Sequence, residues 1–272
     1  MIALLGQTVC DEIVHADGSE EVRCGGAPVF AAHALASAGV RGMVITKGGD
    51  DALHAELSRR GLPVLIGPYD DTFVSRLILK EHGERDHELA ALGEPFTPAD
   101  VEGWARSSLE NAATIVIGTQ WRGDVPPETL AAIHALGRRI VFDAQGLARP
   151  GLGDVIPSGP LDPAWLAGVD AVKFSDEEAT ALLGGTDAAA LERAGVPIVL
   201  VTYGEGGCDV WTRDEPEVLH VPADRIPRLA DTVGAGDMFT ALFAAALDHG
   251  EAPRTAAQTA STGVAEILRL RV

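Results

Sequence analysis

The chain has 272 residues, enough for one large α/β domain or two small ones, and its 46% hydrophobic content allows a sizeable core. Its 21 basic and 40 acidic residues give a formal net charge of −19, which disfavours partners such as nucleic acid and anionic membranes. No apolar stretch is long enough to span a membrane and the N-terminus lacks the basic start of a signal peptide, so we expect a cytoplasmic protein.

Short apolar runs alternate with helical patterns along most of the chain. Helices are predicted at 28–39, with Pro28 in the first turn and Gly39 just past the end, and at 50–61. Strands separated by helices indicate a mainly parallel sheet that is covered on both faces. The predicted strands are 2–6, 43–49, 113–118, 139–144, 170–175 and 197–204.

Two segments break this alternation. Residues 12–24 are predicted as a hairpin around Asp17-Gly18, and residues 72–92 as two longer strands that turn near Gly83. Because neither pair of strands has a helix between its members, we predict a small β lid over the carboxyl ends of the main sheet. With no linker-like stretch, the whole of 1–272 is predicted to be one α/β domain. The lid strands could also pair between subunits, which would make a homodimer.

The cysteines are three in number and far apart in sequence: Cys10, Cys24 and Cys208. They form no zinc-binding pattern, and an odd number of thiols is typical of a reducing compartment.

The stretch "DTVGAGD" at 231–237 places small residues and a carboxylate directly before an apolar helix. If that helix begins near Gly234, the N–H groups of Gly234, Ala235, Gly236 and Asp237 have no partner within the helix and point outward from its positive end. Small side chains would let a phosphate approach these groups closely. The stretch therefore predicts an anion-binding turn.

Asp237 has two readings. An acid in the first turn of a helix favours the helix dipole whatever the function. However, an acid repels a bound phosphate, so it suits an anion-binding turn only if it takes a proton from an attacking hydroxyl while the turn holds the phosphoryl group. That arrangement predicts phosphoryl transfer.

These motifs resemble those of the ribokinase-like, or PfkB, carbohydrate kinases. "DTVGAGD" is similar to the family signature D-T-x-G-A-G-D, "CGGAPVF" to the Gly-Gly pair that opens its first helix, and "GQTVCDEI" to its start. The matches run in family order from residue 6 to about residue 268. The resemblance implies a three-layer αβα sandwich with a β lid and an enzyme that uses ATP and Mg²⁺.

The resemblance also implies residue roles. Asp237 would be the general base and residues 234–236 the anion hole. Asp11, Gly25 and Gly26 would bind the hydroxyl groups of the substrate. The expected nucleotide contacts are Thr202, Gly204 and Gly207, in a segment similar to the family's T-x-G-x-x-G, together with Thr232 of the signature.

The family's N-x-x-E segment, which organises magnesium, is matched by Glu178, but Ser175 replaces the asparagine. Serine can still donate and accept hydrogen bonds, but its side chain is shorter than that of asparagine. The chain therefore departs from the family pattern at the predicted magnesium site. Gln145 and Arg149 follow the strand at 139–144, where ligands collect in open α/β sheets, and are predicted to contact the substrate. Arg149 could equally be a loop residue paired with a surface acid.

The acceptor is narrowed by Phe30, which stands where ribokinases carry an asparagine. An aromatic ring offers an apolar wall, and the pattern is similar to the inositol kinase branch, so we predict a cyclitol, another polyol or a sugar. A nucleoside kinase of the same fold and a phosphate-ligand sensor without turnover remain alternatives. A Rossmann-type oxidoreductase is disfavoured, because the glycines at 204–207 come late and precede a strand rather than a helix.

Overall fold

The computed structural model describes residues 1–15, 17–48, 51–59, 61–68, 71–79, 85–154, 160–226 and 232–271. Its strands are β1 (Ile2–Leu5), β2 (Val9–Val14), β3 (Glu20–Gly25), β4 (Gly42–Thr46), β5 (Val64–Ile66), β6 (Phe73–Leu79), β7 (Arg85–Ala91), β8 (Thr114–Gly118), β9 (Arg139–Asp143), β10 (Gly153–Asp154), β11 (Ala171–Ser175), β12 (Ile198–Thr202), β13 (Cys208–Thr212) and β14 (Leu219–Val221). Its α-helices are α1 (Ala27–Ser37), α2 (Asp51–Ser58), α3 (Pro98–Glu102), α4 (Arg106–Glu110), α5 (Pro127–His134), α6 (Asp176–Leu183), α7 (Ala188–Glu192), α8 (Ala235–Asp248) and α9 (Pro253–Arg269).

A large sheet forms the centre of the molecule, in the order β14-β13-β12-β11-β9-β8-β1-β4-β5. The strands from β12 to β5 pair in parallel, whereas β13 runs antiparallel to both of its neighbours. The predicted parallel sheet is therefore confirmed, with an antiparallel edge added to it. Parallel strands place their carboxyl ends at one edge of a sheet, which is where a ligand site is expected.

Helices cover both faces of this sheet, and strand β1 shows how. Ala3 and Leu5 belong to the cluster packed by α3 to α7, whereas Ile2 and Leu4 belong to the cluster packed by α1, α8 and α9. Because successive side chains of a strand point to opposite faces, an unbroken apolar run fits a strand buried on both sides. The apolar runs of the sequence thus specify the three layers.

The two segments predicted as a lid form a second sheet together with β10, in the order β10-β7-β6-β2-β3. Its pairs are antiparallel except for β2 and β6. Val9, Phe73 and Leu89 form a small core beneath it. The predicted hairpin turn at Asp17-Gly18 is present, with Gly18 at a φ of 82°. The turn predicted near Gly83 lies outside the described residues.

Some local predictions differ from the structure. The strands β9 and β12 are followed by short 3₁₀ helices, at Ala144–Ala148 and Gly204–Gly206, and not by α-helices. Strand β10 was not predicted, because two residues carry no readable alternation. Within the described residues, no helix combines the length and apolar character needed to cross a membrane.

Candidate active site

A cleft of about 810 Å³ lies between the lid sheet and the carboxyl ends of the main sheet. It brings together most of the predicted site residues, which come from distant parts of the sequence. Those that line it are Asp11, Gly26, Phe30, Gln145, Arg149, Thr232, Gly234, Ala235, Gly236 and Asp237.

The predicted anion-binding turn stands at the start of α8, with Gly234 at its N-cap position and a φ of 78°. The N–H groups of Gly234, Gly236 and Asp237 have no acceptor among the described residues, as predicted. The N–H of Ala235 is different, because it donates to the carbonyl oxygen of Thr232 at 3.1 Å. The left-handed Gly234 closes a tight turn in which the Ala235 N–H is already hydrogen-bonded. The prediction that all four N–H groups are available to an anion is therefore corrected to three.

Side chains approach both glycines of this turn, and at Gly234 the approach requires glycine. A Cβ added at Gly234 would lie 2.1 Å from Cγ of Phe30, so the aromatic ring packs directly on the turn. A Cβ added at Gly236 would lie 3.1 Å from Nζ of Lys173. Phe30 therefore supports the turn as well as lining the cleft, and a lysine ammonium stands beside the amides that would bind an anion.

Lys173 was not predicted as a site residue. It is buried in the middle of β11 and pairs with Asp143, its Nζ lying 3.0 Å from Oδ1 and 3.1 Å from Oδ2. Burial opposes its charge, but Asp143, Glu178 and Asp237 outweigh that effect and raise the pKa of Lys173. The lysine is therefore a fixed positive charge. Thr240 of α8 donates to Oδ2 of Asp143 at 2.9 Å and ties the pair to the helix.

Asp237 is partly exposed to the cleft from the first turn of α8. Burial raises its pKa to about 7, and Asp143 and Glu178 add to the shift, whereas Lys173 and Arg149 act against it. A carboxylate with a pKa near 7 can accept a proton efficiently at neutral pH. The environment of Asp237 is thus suited to a general base.

Asp11 and the Gly25-Gly26 pair lie across the cleft from α8. Gly25 is required because a Cβ there would lie 1.7 Å from Oδ2 of Asp11, whose carboxylate rests on the glycine backbone. Gly26 is the N-cap of α1 at a φ of 93°, and a Cβ there would meet the carbonyl oxygen of Gln7 at 2.6 Å. Burial raises the pKa of Asp11 to about 6, against a hydrogen bond from Ser75.

Two amides and one guanidinium complete the polar lining. Burial lowers the pKa of Arg149, whereas Glu178, Asp237, Asp143 and Asp11 act to raise it, so this residue faces the acids of the site rather than a surface acid. Gln145 lines the cleft as predicted. Gln120 was missed: it is only 6% exposed, and its Nε2 has no hydrogen-bond partner among the described residues. A lone glutamine after a strand gives no signal in the sequence.

Ser175 and Glu178 form a capping box at the start of α6. Oε2 of Glu178 accepts from the N–H of Ser175 at 2.7 Å, and the Ser175 hydroxyl accepts from the N–H of Glu178 at 3.1 Å. Burial raises the pKa of Glu178, with Lys173 acting against the shift. Serine at this position is therefore explained by helix capping.

Whether the site suits magnesium depends on its acidic side chains. In the described parts of the chain, no group of three His, Cys, Asp or Glu side chains is arranged to hold a metal ion. Mg²⁺ usually keeps several waters and binds through the phosphates of its substrate. An ion of that kind needs few protein carboxylates, and Glu178 of the capping box would be one of them, a role that stays a prediction.

The three residues predicted from the T-x-G-x-x-G segment do not line the cleft. Thr202 pairs with Ser175 across β11 and β12, and its hydroxyl donates to the carbonyl oxygen of Phe174 at 3.2 Å. Gly207 has a φ of 97° and packs against the backbone of Val221. Gly204 has open space around it. Thr202 and Gly207 thus have structural roles. Nucleotide binding by Thr202, Gly204 and Gly207 stays a prediction.

A family model described as pfkB family carbohydrate kinase matches residues 3–269. The chain belongs to the pfkB family. This confirms the resemblance drawn from the sequence of residues 231–237 and from the Gly-Gly pair.

Two curated relatives of the chain are inositol 3-kinases from plants. The protein from Zea mays is 30% identical over 247 residues, which cover 83% of this chain and 61% of that protein. The protein from Oryza sativa subsp. japonica is 29% identical over 245 residues, covering 83% and 57%. This pfkB chain therefore spans about three fifths of the length of these relatives. Both agree with the expected inositol kinase branch.

Solved structures confirm the ribokinase-like fold. A pyrophosphate-dependent kinase in the ribokinase family, complexed with a pyrophosphate analog and myo-inositol, aligns with a TM-score of 0.83 at 22% identity, over 99% of this chain and 95% of that one. Arabidopsis thaliana ribokinase, complexed with ribose and ATP, aligns with a TM-score of 0.76 at 18% identity, over 100% and 93%. The pfkB chain thus has their main sheet and lid.

Proposed function

We propose that this protein is a kinase that transfers a phosphoryl group to a hydroxyl of a small cyclitol, another polyol or a sugar. The observation that carries the proposal is the placement of Asp237, with a pKa near 7, in the same cleft as Asp11 and at a turn where three of the four amides have no acceptor among the described residues. A phosphate-binding sensor would gain nothing from a carboxylate at that turn, because the negative charge would weaken the binding of its phosphate ligand.

In the proposed reaction, the acceptor hydroxyl lies against Asp237 and gives up its proton to that carboxylate. The alcohol oxygen attacks the transferred phosphorus while the bond to the donor breaks. The N–H groups of Gly234, Gly236 and Asp237 and the ammonium of Lys173 stabilise the charge on the phosphoryl oxygens. Mg²⁺, when bound, neutralises charge on the donor phosphates.

The acceptor preference rests on the opposite wall of the cleft. The carboxylate of Asp11 accepts hydrogen bonds from hydroxyl groups, and Gln120 and Gln145 offer amides that both donate and accept. Phe30 presents an apolar edge beside them. A cyclitol has an apolar ring face and a rim of hydroxyl groups, which suits this combination, and the named activity of both plant relatives supports it.

The donor is proposed to be ATP, as in the family generally. Pyrophosphate is a second candidate, because a structural neighbour is named as pyrophosphate-dependent and because the glycines at 204 and 207 do not line the cleft. Either donor would present a terminal phosphoryl group to the turn at 234–237.

One assay tests the proposal. The purified protein is incubated with Mg²⁺, with ATP or pyrophosphate in turn, and with a panel of cyclitols, sugars and nucleosides, and products are followed by ³¹P NMR. We expect a phosphate monoester from a cyclitol. Product from nucleosides alone would favour a nucleoside kinase. Ligand binding without product from any pair would identify a sensor and end the proposal.

The pH dependence of the proposed reaction follows from Asp237. Its pKa is raised to about 7, and only the ionised form can take the proton, so activity is lost on acidification. We expect kcat/KM for the acceptor to fall about tenfold per pH unit below about pH 7 and to level off above it. A steady-state profile measures this; a profile that is flat between pH 5.5 and 7 would contradict the assignment.

Gly25→Ala tests the acceptor side of the cleft. The added methyl group would overlap the carboxylate of Asp11, 1.7 Å away, and must displace it. We expect the acceptor KM to rise by about 10- to 100-fold, the cost of one lost hydrogen bond to a charged group, while the donor KM is unchanged. Gly151→Ala is the matched control, because a Cβ there would touch nothing within 4 Å. Equal KM values for both variants would exclude the proposed role of Asp11.

A further inference from the structure

Two of the three cysteines face each other across the lid hairpin. In the register of β2 and β3, Cys10 lies directly opposite Cys24. The two residues are far apart in sequence, and the hairpin turn brings them together.

The hydrogen bonds of the turn show whether Cys10 and Cys24 form a hydrogen-bonded or a non-hydrogen-bonded cross-strand pair. The N–H of His15 donates to the carbonyl oxygen of Ser19 at 2.9 Å, so this pair is hydrogen-bonded. Hydrogen-bonded and non-hydrogen-bonded pairs alternate along an antiparallel ladder, and Cys10 and Cys24 stand an odd number of steps from that pair. They therefore form a non-hydrogen-bonded pair, whose Cα atoms are about 4.5 Å apart. Disulfides span Cα distances of about 4.4–6.8 Å.

The surroundings of the pair leave it accessible. Cys10 and Cys24 are both partly exposed and line the cleft. Cys208 is the contrast within the same chain: it is 1% exposed in the core, and burial, followed by Asp209, raises its pKa to about 12. An oxidant in solution therefore reaches the lid pair and not Cys208. We propose that Cys10 and Cys24 are a redox-modification site, which forms a reversible disulfide at the base of the lid.

Hydrogen peroxide can oxidise the two thiols to a disulfide in two steps. One thiolate of the pair attacks the O–O bond of hydrogen peroxide, so that an S–O bond forms and hydroxide leaves and takes up a proton as water. The second thiolate attacks the resulting sulfenic sulfur, the S–S bond forms, the S–O bond breaks, and a second water leaves. Two thiols are oxidised by two electrons in total, and the peroxide is reduced. A small dithiol reverses the reaction because the bridge is exposed.

The consequence for activity rests on the proposed function. Cys10 precedes Asp11 and Cys24 precedes Gly25, the two residues whose carboxylate and backbone lie in contact. A disulfide holds the two strands at one separation beside this contact. The carboxylate is expected to shift with them, so the disulfide raises the acceptor KM until it is reduced.

Peptide mapping tests the modification itself. The native protein is treated with hydrogen peroxide, alkylated, digested without reductant and analysed by mass spectrometry. We expect a peptide pair joined through Cys10 and Cys24 with the loss of two hydrogen atoms, and Cys208 recovered as an alkylated thiol. Cys10→Ser and Cys24→Ser each abolish the joined peptide, whereas Cys208→Ala leaves it. Recovery of Cys10 and Cys24 as separate thiols or sulfinic acids would overturn the proposal.

Kinetics on the same samples test the consequence. We expect the acceptor KM of the oxidised protein to rise at least several-fold over its reduced value and to return with dithiothreitol, with no such change in either serine variant relative to its own reduced state. A joined peptide with an unchanged KM would overturn the regulatory role. Because mapping needs no turnover, failure of the kinase proposal leaves the thiol result readable.

Discussion

Asp237→Asn is expected to lower kcat by about 10²- to 10⁴-fold, the usual cost of losing a general base. The amide keeps the size of the side chain but cannot take a proton from the acceptor hydroxyl. Because Asp237 is polar, partly exposed and the first-turn acid of a stable helix, the fold and donor binding should persist. Single-turnover phosphoryl transfer and donor titration measure the two separately.

The matched control is Asp214→Asn, which removes one negative charge from an exposed turn away from the cleft. It should have wild-type kinetics, so that a loss in Asp237→Asn is not a general effect of net charge. A kcat for Asp237→Asn within about tenfold of the wild type would show that another group is the base.

Lys173→Met is expected to damage both stability and activity. The variant leaves the carboxylate of Asp143 buried without its cation, and breaking a buried ion pair in this way costs about 3–5 kcal/mol. It also removes the ammonium beside Gly236, and loss of one electrostatic group at a transition state costs about 10²- to 10³-fold in kcat. Urea unfolding and kcat at saturating substrates measure the two effects.

Two further variants separate these effects. Lys173→Met combined with Asp143→Asn removes both charges, so stability should largely recover while activity stays low. Lys47→Met breaks a second buried pair, in which Nζ lies 3.0 Å from Asp100, but Lys47 does not line the cleft. It should lose stability and keep its activity per folded molecule. Full activity in the double variant would exclude a role for Lys173 in charge stabilisation.

The parts of the site that could be predicted are those fixed by backbone geometry. The turn at 234–237 and the pair at Gly25-Gly26 need glycine, and a glycine pattern before a helix is visible in the sequence. Most strands of the main sheet are short, unbroken apolar runs, which are equally visible. Asp237 is local to its motif, so its position at the helix start followed from the same few residues.

The parts that could not be predicted depend on contacts between distant segments. Lys173 lies in the middle of β11 and Asp143 at the end of the neighbouring β9, and only the order of the sheet pairs them. Cys10 and Cys24 meet through the hairpin register, which one residue of slip would undo. The use of the Ala235 amide by Thr232 depends on the left-handed conformation of the preceding glycine, which the residue type permits but does not require.

The most direct test of the central claim is a crystal structure of the protein with the acceptor, Mg²⁺ and aluminium fluoride, together with ADP or phosphate according to the donor found. We expect fluoride ligands that accept from the N–H groups of Gly236 and Asp237, and an acceptor oxygen about 2.6–3.2 Å from the Asp237 carboxylate. A fluoride complex bound elsewhere in the cleft, with no acceptor hydroxyl within reach of Asp237, would contradict it.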